Sequence, residues 1–269
     1  MTGRSGIITL LTDFGYQDEY VGVMKGVILR RFAAASIIDL SHGIAPQHIE
    51  QAAAVLENAY RYFPEKTVHL TVVDPGVGTG RHILLLEAFN HFFIAPDNGI
   101  LTAFLHVPEN IKALYRLNLM EDPAVSSTFH GRDIMAPVAA KLAAGAEMED
   151  MGKPVAPSSC VAVAVSRPVI EQHQLRGEVT GIDHFGNIIT SISASDLSRL
   201  REPFKIEIGN FQMEKIHRSY GEVASFSLVA LINSRGMLEI ARNMGNAAQY
   251  VDCRVGDPVA VRLLPEKAG

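Results

Sequence analysis

Cysteine is scarce in this chain of 269 residues, which has only Cys160 and Cys253. Two cysteines cannot build a disulfide framework, nor a four-ligand zinc site by themselves. A reducing compartment fits that usage. A basic surplus is missing too. Lys and Arg total 24 against 29 for Asp and Glu, a formal net charge of −5. That balance argues against duplex nucleic acid or an anionic membrane as partner. No apolar run approaches the roughly 18 residues that span a bilayer. The opening MTGRSGIITLLTDFG lacks the apolar core and small-residue cleavage site of a secretory signal. HExxH, GxSxG and clustered Cys/His spacings are absent, so metal and serine-hydrolase chemistry get little support. What remains is a chain 48% hydrophobic and 20% charged, the composition of a globule rather than a disordered or coiled-coil chain. The expectation is a soluble cytoplasmic protein without a metal.

At roughly 100–200 residues per domain, the length suits one large domain or two ordinary ones. Short apolar runs alternate with helix patterns through the first half. Ile7–Leu11, Ser36–Leu40 and Thr67–Val73 read as strands. Val21, Met24 and Ile28 mark a helix across about 18–32, and Ile49, Ala53, Leu56 and Tyr60 mark a second, with Pro46 in its first turn. His82–Glu87 and His91–Ala95 read as paired strands around Asn90, and a short helix is expected after Asn98-Gly99. Asp133–Ala144 is a helix closed by Gly145. Such alternation predicts an α/β domain with a mostly parallel sheet and helices on both faces. Lys153–Ser159, with two prolines and two serines, reads as a linker. Beyond it come short strands at Glu178–Ile182, Asn187–Ser191, Phe204–Ile208, Leu228–Ile232 and Pro258–Leu263, with helix signals at Asp196–Leu200 and Met237–Ala241. That half predicts a small antiparallel barrel or sandwich. The domains are expected at 1–157 and 158–269.

In an open α/β sheet, ligands bind beyond the carboxyl ends of the strands. Asp13 follows the first strand and Asp74 the third. Asp74 opens DPGVGTGR, which is neither a phosphate loop nor a dinucleotide fingerprint, since no Gly-Lys-Ser/Thr and no helix pattern follow. Asp74 alone reads equally as the start of a Pro-Gly turn. Phe129-His130-Gly131-Arg132-Asp133 begins a helix, where amides and dipole favour anions. The plainer readings are Asp133 as its N-cap and His130 as a solvated loop side chain. Phe185-Gly186-Asn187 and Asn233-Ser234-Arg235-Gly236 read as hairpin turns.

Six segments together are more specific: LTDFGYQDEYVGVMKGVI, VVDPGVGTGR, APDNGIL, FHGRDIMAPVAA, IDHFGNIITSI and NSRGMLEIARNMGNAA. In this order they resemble the signatures of the S-adenosylmethionine (SAM) hydroxide adenosyltransferases, relatives of the SAM-dependent fluorinase and chlorinase. The resemblance runs through nearly the whole chain. It implies an N-terminal α/β domain, a smaller C-terminal antiparallel β-barrel-like domain, and a homotrimer with SAM held between neighbouring subunits. It implies attack at ribose C5′ with expulsion of methionine, water giving adenosine. SAM is then the substrate, and no cofactor is expected.

By that resemblance the catalytic Asp–Arg–His set falls on Asp74, Arg81 and His130. The halogenases lack this set, and the fluorinase's extra loop is not found between Leu40 and Val72. Both differences favour water over halide. Halide-dependent adenosyl transfer and a SAM- or adenosine-binding protein without turnover stay open as alternatives. The resemblance also places Asp13 on the ribose hydroxyls, although an Asx turn is the plainer reading of that residue. It places Asp183 on the methionine ammonium, Phe185 and Asn187 on adenine, and Ser234 and Arg235 on the methionine carboxylate. Arg242 and Met244 lie in the stretch that passes the adenine.

Overall fold

The computed structural model describes residues 5–118, 125–164, 166–171, 173–200 and 203–264. The chain forms two compact units, Met1–Ala164 and Val165–Gly269.

The first unit runs β1 (Ile7–Thr12), α1 (Tyr20–Arg31), β2 (Ser36–Ser41), α2 (Ile49–Ala59), β3 (Val68–Val72), β4 (Ile83–Ala88), β5 (His91–Pro96), α3 (Thr102–Leu105), β6 (Ile111–Leu117), α4 (Ala136–Ala143) and β7 (Gly152–Pro154). They build a seven-stranded sheet in the order β2-β1-β3-β5-β4-β6-β7. Pairing is parallel across β2, β1, β3 and β5, and antiparallel from β5 through β4 and β6 to β7. Every residue of β3, β4 and β5 is buried, as expected of strands covered on both faces. Met24 and Ile28 of α1 and the small residues of α4 fill one face. Ala52 and Leu56 of α2 and Phe104 of α3 fill the other.

Chain direction explains the site. From β1 the chain crosses to β2 on one side, then returns to β3 on the other, so the strand order reverses at β1. Thr12 pairs with Val72, which sets the carboxyl ends of β1 and β3 side by side. That is the switch point where open sheets bind ligands.

Two local expectations change. Lys153 and Pro154 pair with β6 as strand β7 instead of forming a linker, and Pro157–Ser159 is a 3₁₀ turn. The helix over 133–144 opens with a π-helical turn, Gly131–Met135, before α4. At β4–β5 the hairpin turn takes positive φ at both Phe89 and Asn90, the geometry matching strand twist in two-residue turns.

The second unit contains β8 (Val169–Glu171), β9 (Gln174–Ile182), β10 (Ile188–Ser193), α5 (Ala194–Leu197), β11 (Phe204–Ile208), β12 (Phe211–Met213), β13 (Ile216–His217), β14 (Leu228–Ile232), β15 (Met237–Arg242), α6 (Ala247–Val251) and β16 (Pro258–Leu263). Its strands follow the order β12-β11-β16-β9-β10-β15-β14-β13, with β8 on β9. All pairs are antiparallel except β13–β14. The sheet curls into a nearly closed barrel as β12 approaches β14. Met237–Ala241 is strand β15 and not a helix. Leu238–Ala241 are consecutively buried between β14 and β10, and periodicity cannot separate such a run from a buried helix.

One polar feature crosses the first sheet. The buried His69 places Nδ1 2.8 Å from Thr9 Oγ1 on β1 and Nε2 3.3 Å from His91 Nδ1 on β5. Its ring stacks on Phe93 at 5.1 Å.

Candidate active site

At the switch point Asp13, Asp74 and His130 line one cleft of about 450 Å³, with Gln47, Phe14, Tyr20 and Phe129 among its walls. That volume suits a small ligand. Asp13 is fixed from several directions. Its Oδ2 accepts the Gln47 backbone N–H at 2.8 Å. Thr12 Oγ1 lies 2.7 Å from Nδ1 of the buried His42, and the His42 carbonyl accepts Gly15 N–H at 2.8 Å. His42 therefore pins both sides of the turn carrying Asp13, and Asp39 and Lys25 stand behind it.

Asp74 is positioned by the end of β3. Asn98 Nδ2 donates to the Val73 carbonyl at 2.9 Å, and Val77 N–H returns to the Asp74 carbonyl at 3.3 Å. The glycine-rich loop then brings Arg81 back over Asp74. Arg81 Nε donates to Asp74 Oδ1 at 2.8 Å, and Nη2 donates to Oδ2. The same Nη2 reaches His130 Nδ1 at 3.1 Å. The side chains of Arg81 and Asp74 are only 9% and 5% exposed, so this bidentate pair works in a largely dehydrated setting.

His130 immediately precedes the π-helical turn. That turn packs tightly, because a Cβ on Gly131 would come 3.2 Å from Val72 Cγ1 and 3.4 Å from Met24 Sδ. The close approach brings His130 to the end of β3. Asp133 does not cap the helix. Its Oδ2 accepts Ser126 N–H at 2.8 Å, and its carboxylate pairs with Arg132. Burial, then the Arg81 guanidinium, hold the His130 pKa below the ordinary 6.5, against opposing pulls from Asp74 and Asp133. Nδ1 accepts from Arg81, so a neutral ring carries its proton on Nε2.

Gly78 locks the loop, since at φ +77 a Cβ there would collide with the Ser127 carbonyl. Gly78→Ala is expected to lose about 1–3 kcal/mol of stability through strain and overpacking, read as a shifted urea midpoint, and to lower turnover as Arg81 shifts.

The second unit holds the remaining sequence-expected residues at its turns. Asp183 Oδ1 accepts the backbone N–H groups of Phe185 and Asn187 at 2.9 and 2.8 Å, and Oδ2 accepts Asn187 Nδ2 at 2.9 Å. Asp183 thus shapes the β9–β10 turn, which leaves Phe185 74% exposed. Ser234 and Arg235 form the β14–β15 turn, where Asn233 Oδ1 accepts Arg235 N–H at 2.9 Å and Asn233 Nδ2 donates to the buried Glu239 at 3.1 Å. Burial and Glu239 push the Tyr220 hydroxyl up to about 12. The Arg242 guanidinium stacks 3.9 Å from the Tyr250 ring centroid and Nε bonds the Phe226 carbonyl, while Met244 is exposed.

Residues 8–152 match the SAM hydroxide adenosyltransferase N-terminal domain, and residues 177–260 match the C-terminal domain of the same family. The chain belongs to this family. An (R)-S-adenosyl-L-methionine hydrolase from Salinispora tropica is 37% identical, over 94% of this chain and 97% of that protein. A fluorinase from Nocardia brasiliensis is 29% identical, over 97% of this chain and 98% of that protein. The crystal structure of an uncharacterized conserved protein from Thermotoga maritima superposes with a TM-score of 0.86 at 35% identity, covering 95% of this chain and 99% of that one. Beyond the residues expected from sequence, Gln47, Phe14, Tyr20 and Phe129 line the cleft, and His42 and Asn98 brace the carboxyl ends of β1 and β3. Four of these six lie inside the quoted signature segments. His42 and Gln47 lie outside them, and only strand adjacency reveals them. Among the described residues no group of three or more His, Cys, Asp or Glu gathers as metal ligands, and no helix is long and apolar enough to cross a membrane.

Proposed function

We propose that this chain hydrolyses SAM, water attacking ribose C5′ to give adenosine and methionine. One observation carries the reading: Arg81 Nη2 bonds both Asp74 and His130, which line the cleft together with Asp13. In this reaction the water oxygen forms a bond to C5′, the C5′–S bond breaks with its electron pair going to sulfur, and water releases a proton. Sulfonium is a good leaving group, so methionine departs without acid help. The difficulty is the nucleophile. Arg81 stays charged and stabilises hydroxide character in a water beside it. Asp74 holds Arg81 in its fork, and neutral His130 offers the proton-accepting group once Nδ1 releases Arg81. Holding water and carbon at a near-attack separation of about 3–3.5 Å supplies much of the rest. Asp13 takes the ribose hydroxyls. Asp183, Phe185, Asn187, Ser234, Arg235, Arg242 and Met244 hold methionine and adenine from a neighbouring subunit of a cytoplasmic homotrimer. Sedimentation at three times the chain mass checks the assembly.

The deciding experiment is product analysis in ¹⁸O-labelled water with both sulfonium epimers. Label in the adenosine 5′-hydroxyl is expected, with the (R) epimer preferred, as in the (R)-S-adenosyl-L-methionine hydrolases this chain resembles. A chloride-dependent 5′-chloronucleoside, or no turnover, overturns the reading.

Acidity gives a further check. Only neutral His130 accepts the Arg81 N–H, and its pKa is held below 6.5. The kcat/KM profile is expected to be flat near neutrality and to fall on the acid side with an apparent pKa under the ordinary histidine value. An acid limb centred above that value contradicts the assignment.

A further inference from the structure

Gln47 adopts φ +66, in the left-handed region that disfavours any residue with a Cβ. Its backbone N–H on Asp13 Oδ2 needs no side chain, and glycine would make the same bond without strain. The side chain is exposed, lines the cleft beside Asp13 and Asp74, and makes no hydrogen bond among the described residues. The loop's own needs are met elsewhere, because the Gln51 carboxamide accepts the Ala45 N–H at 2.8 Å. A strained backbone carrying an unused amide into a ligand cleft points to a ligand contact.

We infer that the Gln47 carboxamide is a specificity-determining contact for the sugar of the substrate, donating to a ribose hydroxyl held by Asp13. The chemistry is complementary. Asp13 is acceptor-only, so a hydroxyl that donates to it keeps free lone pairs. The Gln47 amide supplies the donor those lone pairs lack, from the residue already bonded to Asp13. The site therefore selects ribonucleosides over deoxynucleosides. This inference rests on the SAM-hydrolysis reading.

Gln47→Gly tests it, since it keeps the backbone N–H, relieves the strain and removes only the amide. The variant should melt at or above the parent temperature. Its KM for SAM should rise about 3- to 10-fold, with kcat within about twofold. With either the 2′-deoxy or the 3′-deoxy analogue, whichever lacks the contacted hydroxyl, variant and parent should share one KM. An unchanged KM for SAM overturns the inference, as does an equal loss on SAM and both analogues. If the parent does not hydrolyse SAM, the proposed reaction fails alone. Calorimetry with adenosine, 2′-deoxyadenosine and 3′-deoxyadenosine then decides the Gln47 contact by the same pattern. No adenosine binding by the parent overturns both.

Discussion

Arg81→Ala is expected to lower kcat for SAM hydrolysis roughly 10²–10³-fold, with SAM affinity changed only a few-fold. Arg81 touches Asp74 through two nitrogens and His130 through one of the same two. Its loss removes the positive charge that the proposed mechanism sets beside the attacking water and disconnects the other two members together. It also leaves Asp74, whose side chain is 5% exposed, without its cation. Breaking such a pair from one side costs about 3 kcal/mol or more. The double variant Asp74→Ala/Arg81→Ala removes both charges and should regain much of that stability while remaining inactive. Single-turnover kinetics, calorimetric SAM binding and thermal melts on the three proteins separate chemistry from folding. Arg81→Lys should stay well below the parent rate, because one ammonium cannot reproduce a fork. An Arg81→Ala protein with parental kcat would remove the set from the mechanism.

Acid should unfold the protein through His69. Burial, with a smaller push from the adjacent His91, lowers its pKa from 6.5 to about 3. The folded state therefore resists a proton that the unfolded chain accepts. Stability from this source is complete above 6.5 and is lost as pH falls through the window between the two values. The slope is about 1.4 kcal/mol per pH unit, so two units below 6.5 cost about 3 kcal/mol. Thr9→Val with His69→Leu removes the titrating ring and leaves no orphaned Thr9 hydroxyl, although His91 Nδ1 loses its His69 partner. Its urea-derived stability should fall less steeply than the parent's over the same acid range. Parallel pH curves for the two proteins would show that His69 does not titrate on unfolding.

Much of this was legible from residue patterns, and the failures have physical causes. Strands β1, β2 and β3 are short apolar runs ending in polar residues, and α1 shows its buried face through Val21, Met24 and Ile28. The antiparallel flank was harder to read, because its edge strand β7 contains a proline and few apolar residues. Proline suits an edge as well as a linker. Strand β15 is buried throughout its middle, Glu239 included, and composition alone does not separate strand from helix there. Asp13 and Asp74 were visible because each directly follows a strand. Their adjacency depends on the register of Thr12 with Val72, which no local pattern carries. Gln47 and His42 escaped for the same reason. Each meets Asp13 or its turn across a gap of about thirty residues, and the left-handed φ of Gln47 has no sequence signal because glycine is absent there.

Crossing from β1 to β2 before returning to β3 also fixes when the cleft can exist. During synthesis Asp13 emerges long before its companions. Asp74 arrives only after both crossover helices have been made, and His130 only after β4, β5 and β6. A nascent chain that has docked its first two strands holds one acidic group and nothing to use it with. Nucleoside binding should therefore be the last property a growing first unit acquires.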